Sequence, residues 1–211
     1  MANAELQIFY GISSPWAYFG AERAYAIADR HGARLMLRPI RIIETNGGIP
    51  LRSRPDARQR YHEIELRRWR EYLGIPLELE PRYYPCRTIE PAAQAVIAVQ
   101  QAGFDARAFS FAVQRALWAE EKDIADIDTL RAIARATVGE AGVALVREPQ
   151  PADIIAQWHG NLDEAERLGI FGTPTYVVDG EIFWGQDRLD FVNRALAVAA
   201  GSTPLKRSAQ S

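Results

Sequence analysis

Leu6-Gln7-Ile8-Phe9-Tyr10-Gly11-Ile12-Ser13-Ser14-Pro15-Trp16-Ala17-Tyr18 is the stretch whose reading decides the fold. Its first five residues are rich in β-formers and read as a short strand. Ser14 then suits a helix N-cap, and Pro15 the first helical position, where its missing N–H costs nothing. Tyr18, Ala21, Ala24, Tyr25 and Ala28 continue a helical stripe that ends at Gly32. From Arg34 to Ile43, Leu35, Leu37, Ile40 and Ile42 alternate around Pro39, which predicts a second strand with a bend or an edge position. The opening is therefore β-α-β, with a right-handed crossover if the strands run parallel.

Strands return only near the far end. Gly169-Ile170-Phe171-Gly172-Thr173-Pro174 leads into Thr175–Val178, an Asp179-Gly180 turn, and a partner run from Glu181 to Trp184. Asp-Gly between apolar runs is a strong hairpin signal. Gly185-Gln186-Asp187-Arg188 then opens a last helix reaching Ala200. Between the two strand regions the spacing turns helical. One stripe is Tyr61, Ile64, Trp69 and Tyr72, stopped by Gly74-Ile75-Pro76, and a second is Ile89, Ala92, Ala93, Val96 and Ile97. Three more follow in Phe109, Ala112, Ala116 and Leu117, in Leu130, Ile133 and Ala134, and in Ile154, Trp158, Leu162 and Ala165. These readings predict an α/β protein in which residues 1–46 and 169–201 form one discontinuous unit. Residues 47–168 form an inserted all-α domain, and 202–211 a flexible polar tail.

A chain of 211 residues with 48% hydrophobic and 25% charged residues suits a globular protein with a real core. The net charge of −2 gives no general attraction to nucleic acid or to anionic membrane. No apolar run approaches the ~20 residues of a membrane-spanning helix, and Met1–Glu5 lacks a basic, then apolar, leader. The expectation is a cytoplasmic protein. Cys86 is the only cysteine, so neither an internal disulfide nor a multi-cysteine metal site is possible. His31, His62 and His159 show no metal spacing and read as helix surface or helix ends, so no metal is expected.

Four segments carry candidate chemistry. At a helix N-terminus, unpaired N–H groups and the helix dipole favour an anion, so Ser14 is placed to meet one. On local grounds it is equally a plain N-cap, and Ser13 competes for the same role. Thr173-Pro174 is either an edge-strand start or a cis peptide. Asp187 is either a helix cap or a polar contact. Arginines crowd residues 52–70 between Asp56, Glu63 and Glu65. Most suit a solvated helix face, while one or two could grip a carboxylate in a bidentate pair.

Taken together, these segments resemble the family of 2-hydroxychromene-2-carboxylate isomerases and kappa-class glutathione transferases, DsbA-like members of the thioredoxin superfamily. Ser14-Pro15 stands where redox members carry Cys-Pro. The resemblance continues through Arg58-x-x-Tyr61-x-x-x-Glu65-x-x-Arg68-Trp69 and Tyr84-Pro85-Cys86-Arg87-Thr88. It departs where the family has lysine for Arg58 and asparagine for Arg87, and its Thr-Gly-Asn signature is only loosely echoed by Thr45-Asn46-Gly47-Gly48.

The resemblance implies a thioredoxin-like fold, a homodimer, and glutathione as cofactor, with Ser14 donating to its thiolate. Thr173 and Pro174 would pair with its cysteinyl backbone across a cis bond facing the Ser14 turn. Trp184, Gly185, Gln186, Asp187 and Arg188 would hold its γ-glutamyl end. Trp16, Asn46, Arg58, Tyr84 and Arg87 would line the place of a small aromatic carboxylate. The implied activity is isomerisation in aromatic-compound catabolism. A kappa-type transferase or peroxidase, or a thioredoxin-like binding module without catalysis, are the alternatives.

Overall fold

The structure, a computed structural model, describes residues 4–201. The expected tail at 202–211 lies outside the described residues. The strand read at residues 6–10 is β1 (Glu5–Tyr10), and its turn leads into α1 (Pro15–Arg30) and β2 (Arg34–Pro39). Ser14 caps α1 as its sequence requires: Oγ accepts a hydrogen bond from the Ala17 N–H at 3.3 Å, and Pro15 opens the helix. Gly32, with φ of +59°, turns the chain back after α1, a conformation open to glycine at no steric cost.

The helical region comprises α2 (Asp56–Leu73), α3 (Glu90–Gln101), α4 (Ala106–Trp118), α5 (Ile127–Val138), α6 (Glu140–Val143) and α7 (Ala152–Arg167). The strands resume as β3 (Thr175–Val178) and β4 (Glu181–Trp184). Asp179 and Gly180 between them have φ of +49° and +82°, the double left-handed geometry of a tight hairpin turn. A single 3-10 turn, Gln186–Arg188, then precedes α8 (Leu189–Ala199).

The sheet order is β2-β1-β3-β4, with β1 parallel to β2 and both β1–β3 and β3–β4 antiparallel. β2 is an edge strand, which is why Pro39 is tolerated at its end. Strand alternation sends Leu6, Ile8 and Tyr10 to one face of β1, where the core also holds residues of α1, α4 and α8. Phe9 points to the other face, among Ala93 and Ile97 of α3 and Ile154, Trp158 and Leu162 of α7. Both faces of the sheet are thus covered, in keeping with the strongly buried β1 and β3. This is an α/β fold of thioredoxin type. Among the described residues no helix is long and apolar enough to cross a membrane.

Three elements differ from expectation. β2 ends at Pro39 instead of continuing to Ile43. The four-residue α6 was not read, being too short to show a period. α2 forms where expected, but its stripe is not buried: only Leu66 is, while Tyr61 and Tyr72 are 56% and 80% exposed. The long polar helix is instead fixed by its sides, including the edge that faces the cavity described next.

Candidate active site

The turn before α1, the Phe171–Thr173 loop, the segment Trp184–Arg188 and one flank of α2 enclose a cavity of about 700 Å³. Ser14 stands on its wall, with Ser13 beside it. The Ser14 N–H donates to Gly11 O at 2.9 Å, which tightens the turn and fixes the seryl side chain at the helix end. Capping uses an oxygen lone pair, and no described residue takes the hydroxyl proton. Ser14 can therefore cap α1 and still donate into the cavity, so the two local readings of this residue are compatible.

The Thr173–Pro174 peptide is cis, and Thr173 borders the cavity. A Cβ built on Gly11 would lie 3.5 Å from Thr173 Oγ1 and 3.7 Å from Ser14 Cβ, so the two loops abut. Gly172 O accepts from Thr175 Oγ1 at 2.7 Å and Pro174 O from Gly185 N at 2.9 Å. The intervening Thr173 N–H and C=O have no partner among the described residues. Unpaired backbone beside an open cavity is an edge on which an extended peptide can dock.

The third wall is the segment after β4. Trp184 is half exposed, meets Phe171 edge-on at 4.7 Å, and lies so close over Gly172 that a Cβ there would fall 2.3 Å from Nε1. Gly185 has φ of +108°, and a Cβ on it would meet Asp187 Oδ1 at 2.5 Å. Asp187 does not cap α8: its carboxylate bonds Arg188 Nη1 at 2.7 Å, and α8 starts without a side-chain cap. Asp187 and Arg188 are exposed at the cavity rim. Gln186 is buried instead. Arg23 of α1 donates through Nη2 to Gln186 Oε1 and, at 3.3 Å, to Gln186 O. Its side-chain oxygen is thus occupied within the protein.

Trp16 of α1 and, from the insert, Arg58 and Tyr84 line the cavity. Asn46 and Arg87 do not. The Asn46 amide nitrogen donates to Ala165 O, Glu166 O and Ile170 O at 3.3, 2.9 and 3.1 Å; the first two also accept from the Ile170 and Gly169 N–H groups, so the amide ties the loop after β2 to the turn after α7. Arg87 pairs with Asp123 at 3.3 Å and donates to Ala125 O at 3.2 Å. Both act in the scaffold, and their placement as substrate contacts is corrected. Cys86 is half-buried, and burial with the nearby Asp123 pushes its thiol up to about 12, which keeps it protonated at neutral pH.

Two wall residues, Arg41 and His62, were not read as site residues from the sequence, and a third, Arg54, only as one of the arginine cluster at residues 52–70. Arg41 and Arg54 join Arg58 and Arg188 around the cavity. Arg54 is tied to Ile49 O through two nitrogens at 3.1 and 3.0 Å, whereas Arg41 and Arg58 form no ion pair with described residues. His62, read as helix surface, turns into the cavity and meets Trp16 edge-on at 5.3 Å. Burial and Arg54 lower its pKa to about 4, so it is a neutral imidazole at pH 7. The signal was present: His62 falls one turn after Arg58, one turn before Glu65 and two before Trp69, all on the cavity flank of α2.

The family model for DSBA-like thioredoxin domains matches residues 5–197. The chain belongs to that family. This DSBA-like chain is 29% identical to the 2-hydroxychromene-2-carboxylate isomerase of Sphingobium xenophagum over 199 residues, 90% of this chain and 97% of the relative. Among solved structures it is similar to a 2-hydroxychromene-2-carboxylate isomerase, with a TM-score of 0.68 at 20% identity, covering 92% of this chain and 95% of the other. It is also similar to the cytosolic disulfide reductase DsbM from Pseudomonas aeruginosa with GSH, with a TM-score of 0.63 at 20% identity, covering 93% and 98%.

Proposed function

We propose that this DSBA-like protein is a glutathione-dependent isomerase of the 2-hydroxychromene-2-carboxylate type, acting in the cytoplasm on a small aromatic carboxylate. The observation that carries the reading is the pairing, in one cavity, of a thiol-free helix N-terminus with the unpaired backbone of Thr173. A redox member of the family needs a cysteine at the helix end, and this chain has serine there. The isomerase relatives at full-length coverage support the reaction class, and the GSH in the DsbM structure supports the cofactor.

The residues present fit glutathione. The Thr173 N–H and C=O would pair with its cysteinyl backbone, and Asp187 at the rim would meet its γ-glutamyl ammonium. Ser14 would donate its free hydroxyl proton to the sulfur, aided by the α1 dipole. Glutathione supplies a thiolate nucleophile, whose reversible addition to a conjugated substrate would free rotation about the double bond. A free thiol near pKa 8.5 is only a few per cent ionised at pH 7, so holding the anion is the protein's main contribution there. The insert supplies Tyr84 and Arg58 to the other half, where Trp16 of α1 completes the aromatic walls and Arg41 after β2 adds a second cation for a carboxylate. Trp184 and Phe171 narrow the mouth and would limit water.

The test is turnover of 2-hydroxychromene-2-carboxylate by the purified protein, with and without glutathione, followed by its absorbance change. Isomerisation that requires glutathione and leaves its concentration unchanged is expected. Stoichiometric loss of glutathione would identify a kappa-type transferase instead, and absence of glutathione binding would leave a binding module. We place the working unit as a homodimer, which sedimentation would check.

A further inference from the structure

His62 is a cavity-wall imidazole to which the reaction proposed above gives no role. It projects from α2 among Arg58 and Glu65 of its own helix, Arg54 before that helix, Trp16 of α1 and Tyr84 of the loop before α3. Its ring touches Trp16, and no described residue hydrogen-bonds either nitrogen. Around it the polar groups are poorly suited to accept a proton. The guanidinium groups of Arg41, Arg54 and Arg58 have only donors. Glu65 is paired with Arg68 at 2.6 Å, and Asp187, paired with Arg188 at 2.7 Å, stands at the rim, where it is assigned above to the γ-glutamyl ammonium. A neutral imidazole in this setting offers one N–H donor and one open lone pair. It brings an acceptor into a cationic, aromatic-walled space without cancelling the positive charge that draws an anion.

We propose that His62 is the specificity-determining residue for the second substrate, accepting a hydrogen bond from a hydroxyl on an aryl carboxylate whose anionic group lies against Arg41 and Arg58. This rests on the isomerase reading above and deepens it. A 2-hydroxychromene-2-carboxylate carries a hemiketal hydroxyl, and its ring-opened product carries a phenol on the same aryl frame, so substrate and product each present an O–H. A plain aryl acid of the same shape does not. Burial keeps the imidazole uncharged across the neutral range, so the lone pair is available at working pH.

The experiment uses two non-reacting acids that differ by one hydroxyl, trans-2-hydroxycinnamate and trans-cinnamate, titrated by calorimetry into the glutathione-saturated protein. The wild-type chain should prefer the hydroxy acid by roughly two- to tenfold, the range of one neutral hydrogen bond. His62→Phe keeps a planar ring against Trp16 and should abolish the preference. Its affinity for trans-cinnamate and for glutathione should stay within twofold of wild type. A measurement on the unaltered protein guards against a misfolded variant: the hydroxy acid, and not trans-cinnamate, should shift the His62 ring nitrogen resonance in the manner of a newly hydrogen-bonded acceptor. No hydroxyl preference in the wild type, a preference that survives His62→Phe, or identical nitrogen shifts with both acids would overturn the assignment. Because neither acid turns over, failure of the isomerase assay would remove the reaction class and leave the His62 result standing on its own.

Discussion

Ser14→Ala separates the two roles that the helix end combines. The substitution removes one cap hydrogen bond, long at 3.3 Å, from a helix whose first turn is also pre-set by Pro15. Cap loss costs about 1 kcal/mol, and in a chain of this size that lowers Tm by about 2–4 °C. The hydroxyl proton, which no described residue takes, is the group assigned to the bound sulfur. Loss of one positioned donor to such an anion costs about 10²–10³ in rate, roughly 3–4 kcal/mol. Activity should therefore fall far more than stability. The assay is steady-state isomerisation at saturating glutathione beside a thermal melt, with thiolate absorbance titrated in the glutathione complex. In the variant the bound thiol should titrate nearer its free value. Activity within twofold of wild type would refute the argument, and a dead Ser13→Ala beside an active Ser14→Ala would move the donor by one residue.

Other expectations concern the rim and the insert. Asp187→Asn should weaken glutathione binding roughly 10- to 150-fold by calorimetry, the range of a charge-assisted bond of about 1.5–3 kcal/mol. It should leave the melt almost unchanged, since Asp187 caps no helix. Asn46→Ala should lower stability by about 1–3 kcal/mol in a denaturant melt, because it leaves Ile170 O without a donor among the described residues and removes a second donor from Ala165 O and Glu166 O; glutathione affinity should stay within twofold. His62 has its folded pKa lowered to about 4 from the ordinary 6.5 by burial and by Arg54. Between those values the unfolded chain binds a proton that the folded chain refuses. Stability is therefore full above pH 6.5 and declines as pH falls towards 4. His62→Phe should flatten that decline in melts recorded across the window.

What the sequence made legible was local. Ser14-Pro15 announces a helix start by backbone chemistry alone, and Asp179-Gly180 announces a hairpin because both residues tolerate positive φ. The five stripes of the insert locate their helices because 3.6-residue periodicity needs no knowledge of what they pack against. Roles that depend on distant partners were not legible. Asn46 matched a substrate-side signature, yet its amide is spent on carbonyls 119–124 residues away. Arg87 matched another, yet Asp123 claims it. Tyr61 and Tyr72 keep helical spacing without burial, since spacing marks a face and not what covers it. His62 was passed over because it lacked metal spacing, although its offset from Arg58 already put it on the same flank of α2.

Arg23 shows how segments far apart in sequence come to share one cavity. It sits on α1 and reaches Gln186, 163 residues away, taking both its side-chain and main-chain oxygens. Its guanidinium also lies 5.9 Å from the centre of the Trp69 ring on α2. A flat fork that hydrogen-bonds at its edge and stacks on its face can do both at once, and lysine's point charge cannot. Gly20 lets the helix approach this turn, for a Cβ there would fall 2.4 Å from the Tyr176 hydroxyl and 3.0 Å from Gln186 Cβ. The same contacts therefore hold the Gln186–Arg188 turn and the α2 flank in fixed relation to the Ser14 helix end. On the reading proposed here, the thiol-bearing ligand and the aryl acid would meet at a spacing set by α1. Arg23 does this half-buried, where desolvation lowers its pKa, and its loss would take the donor from both oxygens of Gln186.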